Sequence, residues 1–262
     1  MVANLYGTCA KLDEIKEICD AHGAILIEDA AESLGATYKG VPSGTFGKYN
    51  AISFNGNKII TTSGGGMFLT NVKEDADRVR KWSTQSRENA PWYQHEELGY
   101  NYRMSNILAG IGRGQLLHLD EHIALKKQIY ERYAEGFKDL PVAMNPIPVE
   151  CEANYWLSCM TINKDAMCVQ NRTAQTTSYV SEIGKSCPDE IMETLTKYNV
   201  ESRPIWKPMH MQPIFKDCDF ITVKEQSVVD DIFKRGLCLP SDIKMTAEEQ
   251  QMIIEMVKSC FA

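Results

Sequence analysis

The chain has no run of apolar residues approaching the length needed to cross a bilayer. Its first residues, Met1-Val2-Ala3-Asn4-Leu5-Tyr6-Gly7, lack both the basic region and the apolar region of a secretory leader. No Cys-x-x-Cys pair occurs among the nine cysteines, and five histidines are scattered, so the spacing of a zinc site is missing and no metal is expected. An odd number of dispersed thiols does not make a disulfide framework; it reads as reduced cysteine in the cytoplasm. Positive charge is scarce too: 28 Lys and Arg against 35 Asp and Glu give a net charge of −7, which excludes a broad phosphate-backbone binder. There are no internal repeats and no low-complexity tract. What remains, 44% hydrophobic and 24% charged in 262 residues, is an ordinary globular composition, long enough to bury a sizeable core.

One stretch carries chemistry. In Ser53-Phe54-Asn55-Gly56-Asn57-Lys58-Ile59-Ile60-Thr61-Thr62-Ser63-Gly64-Gly65-Gly66, a lysine lies between apolar segments, just ahead of three glycines. An amine placed so can be desolvated into a nucleophile for carbonyl chemistry, and the glycines let backbone come close to a ligand. The glycine run is no P-loop, because no Lys-Ser/Thr follows it. Upstream, Ala24-Ile25-Leu26-Ile27 reads as a strand ending in Glu28-Asp29-Ala30-Ala31-Glu32-Ser33, and Tyr49 to Phe54 as a second strand with Lys58 just beyond it. Ligands of open α/β sheets bind at the carboxyl ends of strands. An acid and a lysine there match what pyridoxal phosphate needs, a carboxylate for the pyridinium nitrogen and an amine for the Schiff base.

The blocks Glu28 to Ala36, Gly44-Thr45-Phe46-Gly47, Ser53 to Lys58 and Thr61 to Gly66 resemble the DegT/DnrJ/EryC1/StrS nucleotide-sugar aminotransferases. So do Leu98-Gly99-Tyr100-Asn101-Tyr102-Arg103-Met104 and Arg203-Pro204-Ile205-Trp206-Lys207-Pro208-Met209-His210. They occur in the family's order over almost the whole chain. The resemblance implies a fold-type I pyridoxal phosphate transferase: an α/β/α large domain over residues 1–137 that ends in a long helix, then a smaller α+β domain over residues 138–262. Such relatives carry roughly a further third of chain ahead of the position of Met1, supplying a phosphate-binding turn and a ring-stacking aromatic; on that ground 1–262 alone is expected to hold cofactor weakly and to turn over poorly.

By resemblance, Lys58 is the Schiff-base residue, Asp29 pairs with the pyridinium nitrogen, Ala31 lies against one ring face and Ser53 donates to the phosphate. Glu32 stands where relatives often carry Gln or His near the ring's phenolic oxygen. Asn101 is expected to reach toward the phosphate of a neighbouring subunit's site, which makes the enzyme a homodimer with shared sites. Arg103, Trp206, Lys207 and His210 would face the sugar nucleotide. The implied reaction is transamination of a keto-sugar on a nucleoside diphosphate with glutamate as donor, feeding surface glycans; the wording around Lys58 is most similar to the branch aminating UDP-4-keto-6-deoxy-N-acetylhexosamines. Two alternatives stand beside it. One is a non-catalytic fragment or dimer-forming remnant; the other, a related sugar dehydratase, has histidine in place of the lysine.

Elsewhere the pattern predicts a helix over 12–21 with Leu12, Ile15, Ile18 and Cys19 on one face, stopped by Gly23. Gly66 to Thr70 should return as a hairpin around the lysine, followed by a polar helix over 74–86 and a loop over 88–97. A long helix from Ser105 to Phe137 should bend at Gly110, Gly112 or Gly114. A strand over 155–162, a flexible insertion over 165–185, a helix capped by Ser186, an extended 200–205 and helices over 223–235 and 247–259 complete the expectation.

Overall fold

The computed structural model describes residues 1–173, 175–223 and 227–262. In chain order its elements are β1 (Val2–Ala3), α1 (Leu12–Ala21), β2 (Ile27–Asp29), β3 (Thr37–Tyr38), β4 (Val41–Pro42), β5 (Tyr49–Ser53), β6 (Gly66–Leu69), α2 (Lys73–Ser83), α3 (Asn106–Leu116) and α4 (Leu119–Gly136). There follow β7 (Val142–Met144), β8 (Cys151–Glu152), β9 (Cys159–Ile162), β10 (Val169–Arg172), β11 (Thr177–Val180), α5 (Pro188–Lys197), β12 (Arg203–Pro204), α6 (Val228–Arg235), β13 (Gly236–Cys238) and α7 (Ala247–Ser259). None of the helices among the described residues is long and apolar enough to cross a membrane.

Two compact units result. The first holds residues 1–125 and 147–156, the second 126–146 and 157–262. The division expected at residue 137 therefore falls inside the second unit. Ile129, Tyr133 and Phe137, from the latter part of α4 and just beyond it, are buried in that unit's core.

In the first unit the sheet runs β1-β2-β5-β6. β1, β2 and β5 are parallel, with Asp29 opposite Ala51, and β6 closes antiparallel on β5 with Ser53 opposite Gly66. The last pair is the expected hairpin around the lysine. A three-stranded sheet, β4-β3-β8, brings residues 151–152 back against Thr37–Tyr38. Gly23 ends α1 as expected: at φ +62 it allows Ala24 N–H to reach Cys19 O (2.8 Å) and its own N–H to reach Asp20 O (3.2 Å). The helix does not bury the whole expected face, however; Leu12 is buried while Ile18 is exposed. The long helix breaks after its glycines, at Leu117 and His118, rather than at them. Gly112 serves a different need, since a Cβ there would meet Thr62 Cγ2 at 2.9 Å.

The second unit folds around the sheet β12-β13-β9-β7, all antiparallel, packed with Ile191 and Leu195 of α5 and Ile253, Ile254 and Val257 of α7. A reciprocal capping box starts α7: Glu249 N–H donates to Thr246 Oγ1 (3.1 Å) and Thr246 N–H to Glu249 Oε2 (2.8 Å). The strand expected over 155–162 is confined to Cys159–Ile162, because Tyr155 takes φ +55. Residues 165–185 form no loose insertion. β10 and β11 pair antiparallel from Val169 opposite Val180 to Arg172 opposite Thr177, using the β-forming Val, Thr and Tyr side chains; Ala174 lies outside the described residues. Arg172 anchors the hairpin by a forked pair to Asp189 (Nε–Oδ2 3.1 Å, Nη2–Oδ1 2.9 Å). The cap of α5 is Cys187, not Ser186, whose hydroxyl turns instead to Glu190 Oε2 (2.8 Å). α6 begins at Val228 behind Ser227; residues 224–226 of the expected helix lie outside the described residues.

Lys126, at the start of the second unit, donates to Ser241 O (2.5 Å), and burial pushes its amine down to about 8 against a weaker opposing pull from Asp242. Between about pH 8 and its ordinary value of 10.5 the unfolded chain holds a proton that the folded chain has released, so this lysine's contribution to stability rises with pH. Below pH 8 both states are charged and the full burial cost, about 3 kcal/mol, is present. Contributions from other titrating groups cancel in a comparison with Lys126→Met. We expect the unfolding free energy of the native chain to gain on that variant between pH 8 and 10; parallel curves from urea unfolding would refute it.

Candidate functional site

Lys58 sits in the turn between β5 and β6, its amide donating to Asn55 O (3.0 Å), with the turn held open by Gly65 at φ +97. Its side chain is only 13% exposed. Nζ lies 3.9 Å from Glu32 Oε1 and 4.3 Å from the centre of the Trp156 ring. Glu32 is aimed by the Tyr6 N–H, which donates to its Oε2 (2.8 Å). Glu32 is thus the lysine's own counter-ion, a role the sequence reading did not assign to it. The Trp156 ring is fixed by its indole N–H, which donates to Asn57 O (2.7 Å), one residue before the lysine.

Asp29 and Ser53 lie at the carboxyl ends of adjacent parallel strands, Asp29 in register with Ala51 and Ser53 two residues further along β5. Asp29 Oδ1 accepts from the Ala31 N–H (3.0 Å), which orients the acid and places half-buried Ala31 beside it. Ser53 Oγ accepts from the Asn55 N–H (3.2 Å). The fold therefore puts an amine, two carboxylates and a hydroxyl at or just beyond the carboxyl ends of two adjacent strands of one sheet.

Asn101 and Arg103 lie exposed on the loop before α3, where Asn101 bridges to Thr84 and the Arg103 N–H donates to Ser83 O (3.1 Å). Trp206, Lys207 and His210 belong to the second unit. There Trp206 and Lys207 are exposed, and His210 pairs with Asp230 Oδ1 (2.8 Å) and stacks on Phe220 with ring centres 3.7 Å apart.

Three residues of this site escaped the sequence reading. Trp156 was placed within a strand. Asn154, fully buried, holds the return segment in place: its side-chain amide donates to Glu32 O (3.0 Å) and Leu34 O (2.9 Å), while its Oδ1 accepts from the Trp156 N–H (2.9 Å). Glu28, one residue before Asp29, is fully buried and accepts from Asn4 Nδ2 (2.8 Å), the Gly44 N–H (2.8 Å) and the Phe46 N–H (2.9 Å). Gly44 and Phe46 belong to the block Gly44-Thr45-Phe46-Gly47, so this carboxylate explains why that loop folds against β2.

EpsN of Bacillus subtilis (strain 168), classed as a pyridoxal phosphate-dependent aminotransferase, is 44% identical over 263 residues, covering 100% of this chain and 63% of that protein. GDP-perosamine synthase of Escherichia coli O157:H7 is 30% identical over 262 residues, covering 100% of this chain and 65% of its own. The chain thus spans less than two thirds of the length of these relatives. Among solved structures, the aminotransferase PseC of Helicobacter pylori, involved in the biosynthesis of pseudoaminic acid, superposes with a TM-score of 0.82 at 19% identity over 99% of this chain and 65% of that one. A family member from Brucella abortus gives 0.80 at 24% identity, over 98% and 62%. The architecture is that of the fold-type I pyridoxal phosphate transferases. The model of the DegT/DnrJ/EryC1/StrS aminotransferase family matches residues 1–258, and the chain belongs to that family.

Proposed function

We propose that this chain carries the lysine-bearing part of a pyridoxal phosphate-dependent aminotransferase acting on a nucleotide-linked keto-sugar. The observation that supports it most directly is Lys58 Nζ, held between the Glu32 carboxylate and the Trp156 ring just beyond the strand ends that carry Asp29 and Ser53. The family is pyridoxal phosphate-dependent, and this donor set suits the group: an amine for its carbonyl, an acid for its ring nitrogen and a hydroxyl for its phosphate. When bound, the cofactor supplies an electron sink for a carbanion next to the amino nitrogen.

The protein groups do the rest. Lys58 Nζ would hold the cofactor covalently, and its free amine could take up and return a proton. Asp29 would keep a ring nitrogen protonated, with Ala31 against the ring. Ser53 Oγ would donate to phosphate. The Glu32 carboxylate balances the Lys58 charge before attachment and limits where Nζ can point.

For the substrate, the likeness to a GDP-perosamine synthase supports a sugar carried on a nucleoside diphosphate, and the Lys58 block is the ground for the UDP-4-keto-6-deoxy-N-acetylhexosamine branch. Glutamate is the proposed donor, and Arg103, Trp206, Lys207 and His210 the proposed sugar-nucleotide contacts. A homodimer in which Asn101 serves the neighbouring site fits the exposed apolar side chains Leu98, Tyr102, Ile107 and Leu117 around that loop; a monomer in sedimentation equilibrium would remove this part of the reading. The central test is chemical. Borohydride reduction of the protein at saturating pyridoxal phosphate should leave a pyridoxyl group on Lys58, seen by peptide mass spectrometry and lost in Lys58→Ala. An adduct confined to other lysines would overturn the assignment.

A further inference from the structure

The nine cysteines look scattered in sequence, yet the fold brings two of them together with an acid in the second unit. Cys168 lies just before β10, Cys187 just before α5, and Glu190 in the first turn of that helix. Their side-chain ligand atoms all lie within 4.8 Å of one another, the single such trio of Cys, His, Asp or Glu groups among the described residues. The two cysteines are buried and Glu190 is partly so. We propose that Cys168, Cys187 and Glu190 bind a divalent cation of the zinc class.

Three observations carry this. The backbone is built to hold the two sulfurs side by side: Met167 and Ser186 form a parallel bridge, with the Cys168 N–H donating to Ser186 O (2.9 Å) and the Ser186 N–H to Ala166 O (3.0 Å). The distances nearly close. Sulfur and oxygen ligands of a tetrahedral zinc lie about 3.6 Å apart, given bonds of about 2.3 and 2.1 Å, and Cys168 Sγ is 3.9 Å from Glu190 Oε2. The carboxylate is already oriented by two hydroxyls, Ser186 Oγ donating to Oε2 (2.8 Å) and Ser181 Oγ to Oε1 (2.6 Å), the outer partners that a ligating acid needs. A set of two thiolates and one carboxylate favours a soft cation over magnesium or calcium. Binding exchanges two thiol protons for the cation, so two protons leave per ion bound.

The placement gives the site a purpose. Cys168 and Ser181 flank the β10–β11 hairpin and Cys187 starts α5, so an ion there would clasp the base of the hairpin to the helix. Arg172 and Asp189 already make one such tie.

Cadmium is the probe. Phosphine-reduced 1–262, freed of metal with a chelator, should bind one equivalent with an ultraviolet sulfur-to-cadmium charge-transfer band, release two protons, and melt at a higher temperature. Cys168→Ser/Cys187→Ser should lose that equivalent. Ser186→Ala, which touches no ligand sulfur and guards against a variant that fails to fold, should weaken binding by about 10–100-fold. The pairs Cys9–Cys151 and Cys159–Cys238 supply an internal control, since their uptake should not respond to Glu190→Gln. A band unchanged in the double cysteine variant, or one needing both cysteines but indifferent to Glu190→Gln and Ser186→Ala, would overturn the site.

Discussion

Glu28→Ala is expected to lower the unfolding free energy of the first unit by about 3–5 kcal/mol, among the larger losses available to a single substitution in this chain. Glu28 has no exposed surface and accepts from three donors, two of them main-chain amides of the Gly44–Phe46 turn. Hydrogen bonds to a charged group contribute about 1.5–3 kcal/mol each, and removing the acceptor strands donors that water cannot reach. Asn4, whose Oδ1 accepts from the Ala10 N–H (3.0 Å), would be loosened as well. Glu28→Gln separates shape from charge. Its oxygen can keep the Asn4 and Gly44 bonds, but the amide nitrogen then faces the Phe46 N–H, so it should cost about 1–3 kcal/mol. Denaturant unfolding would show Ala below Gln below native. Equal midpoints for all three chains would mean that the turn finds other acceptors.

That carboxylate also marks how far sequence reading reached. A charged residue reads as surface, and only the pairing of β2 between β1 and β5 puts Glu28 in the interior. Local signals fared better: Gly23 stops α1, the lysine hairpin closes Ser53 on Gly66, and α7 spans its expected residues, because each depends on neighbours a few positions away. The placement of Asp29 at a strand end and of Lys58 just beyond one was legible for the same reason. The long-range partners were not. Trp156 meets the lysine turn across 99 residues of sequence, and no period or motif announces such a contact. The 165–185 hairpin was hidden because its Thr and Ser residues suit a loop as well as a strand until Arg172 finds Asp189. The helix break at Leu117 misled in the opposite sense, since the glycines that looked like hinges include one needed for contact with Thr62.

Trp156 should be the residue whose loss most affects both the fold of the first unit and the behaviour of Lys58. It is 2% exposed, its indole donates to Asn57 O, and its ring lies under the Lys58 amine. Trp156→Ala would remove a large buried ring and open a cavity, costing about 3–5 kcal/mol. It would also free the Asn57–Lys58 turn and remove a cation–π contact of about 0.5–2 kcal/mol. Trp156→Phe is the sharper probe, because it keeps an aromatic face and loses the N–H bond, at about 1 kcal/mol for that bond. If the indole positions the lysine, the phenylalanine variant should form the borohydride-trapped adduct at Lys58 about three- to tenfold more slowly, equivalent to about 0.7–1.4 kcal/mol of lost positioning. If the ring only fills space, stability should fall while Lys58 is modified at the native rate. The first outcome would make Trp156 a positioning residue acting through the Asn57 carbonyl. The second would leave Glu32 as the group that fixes where the amine points.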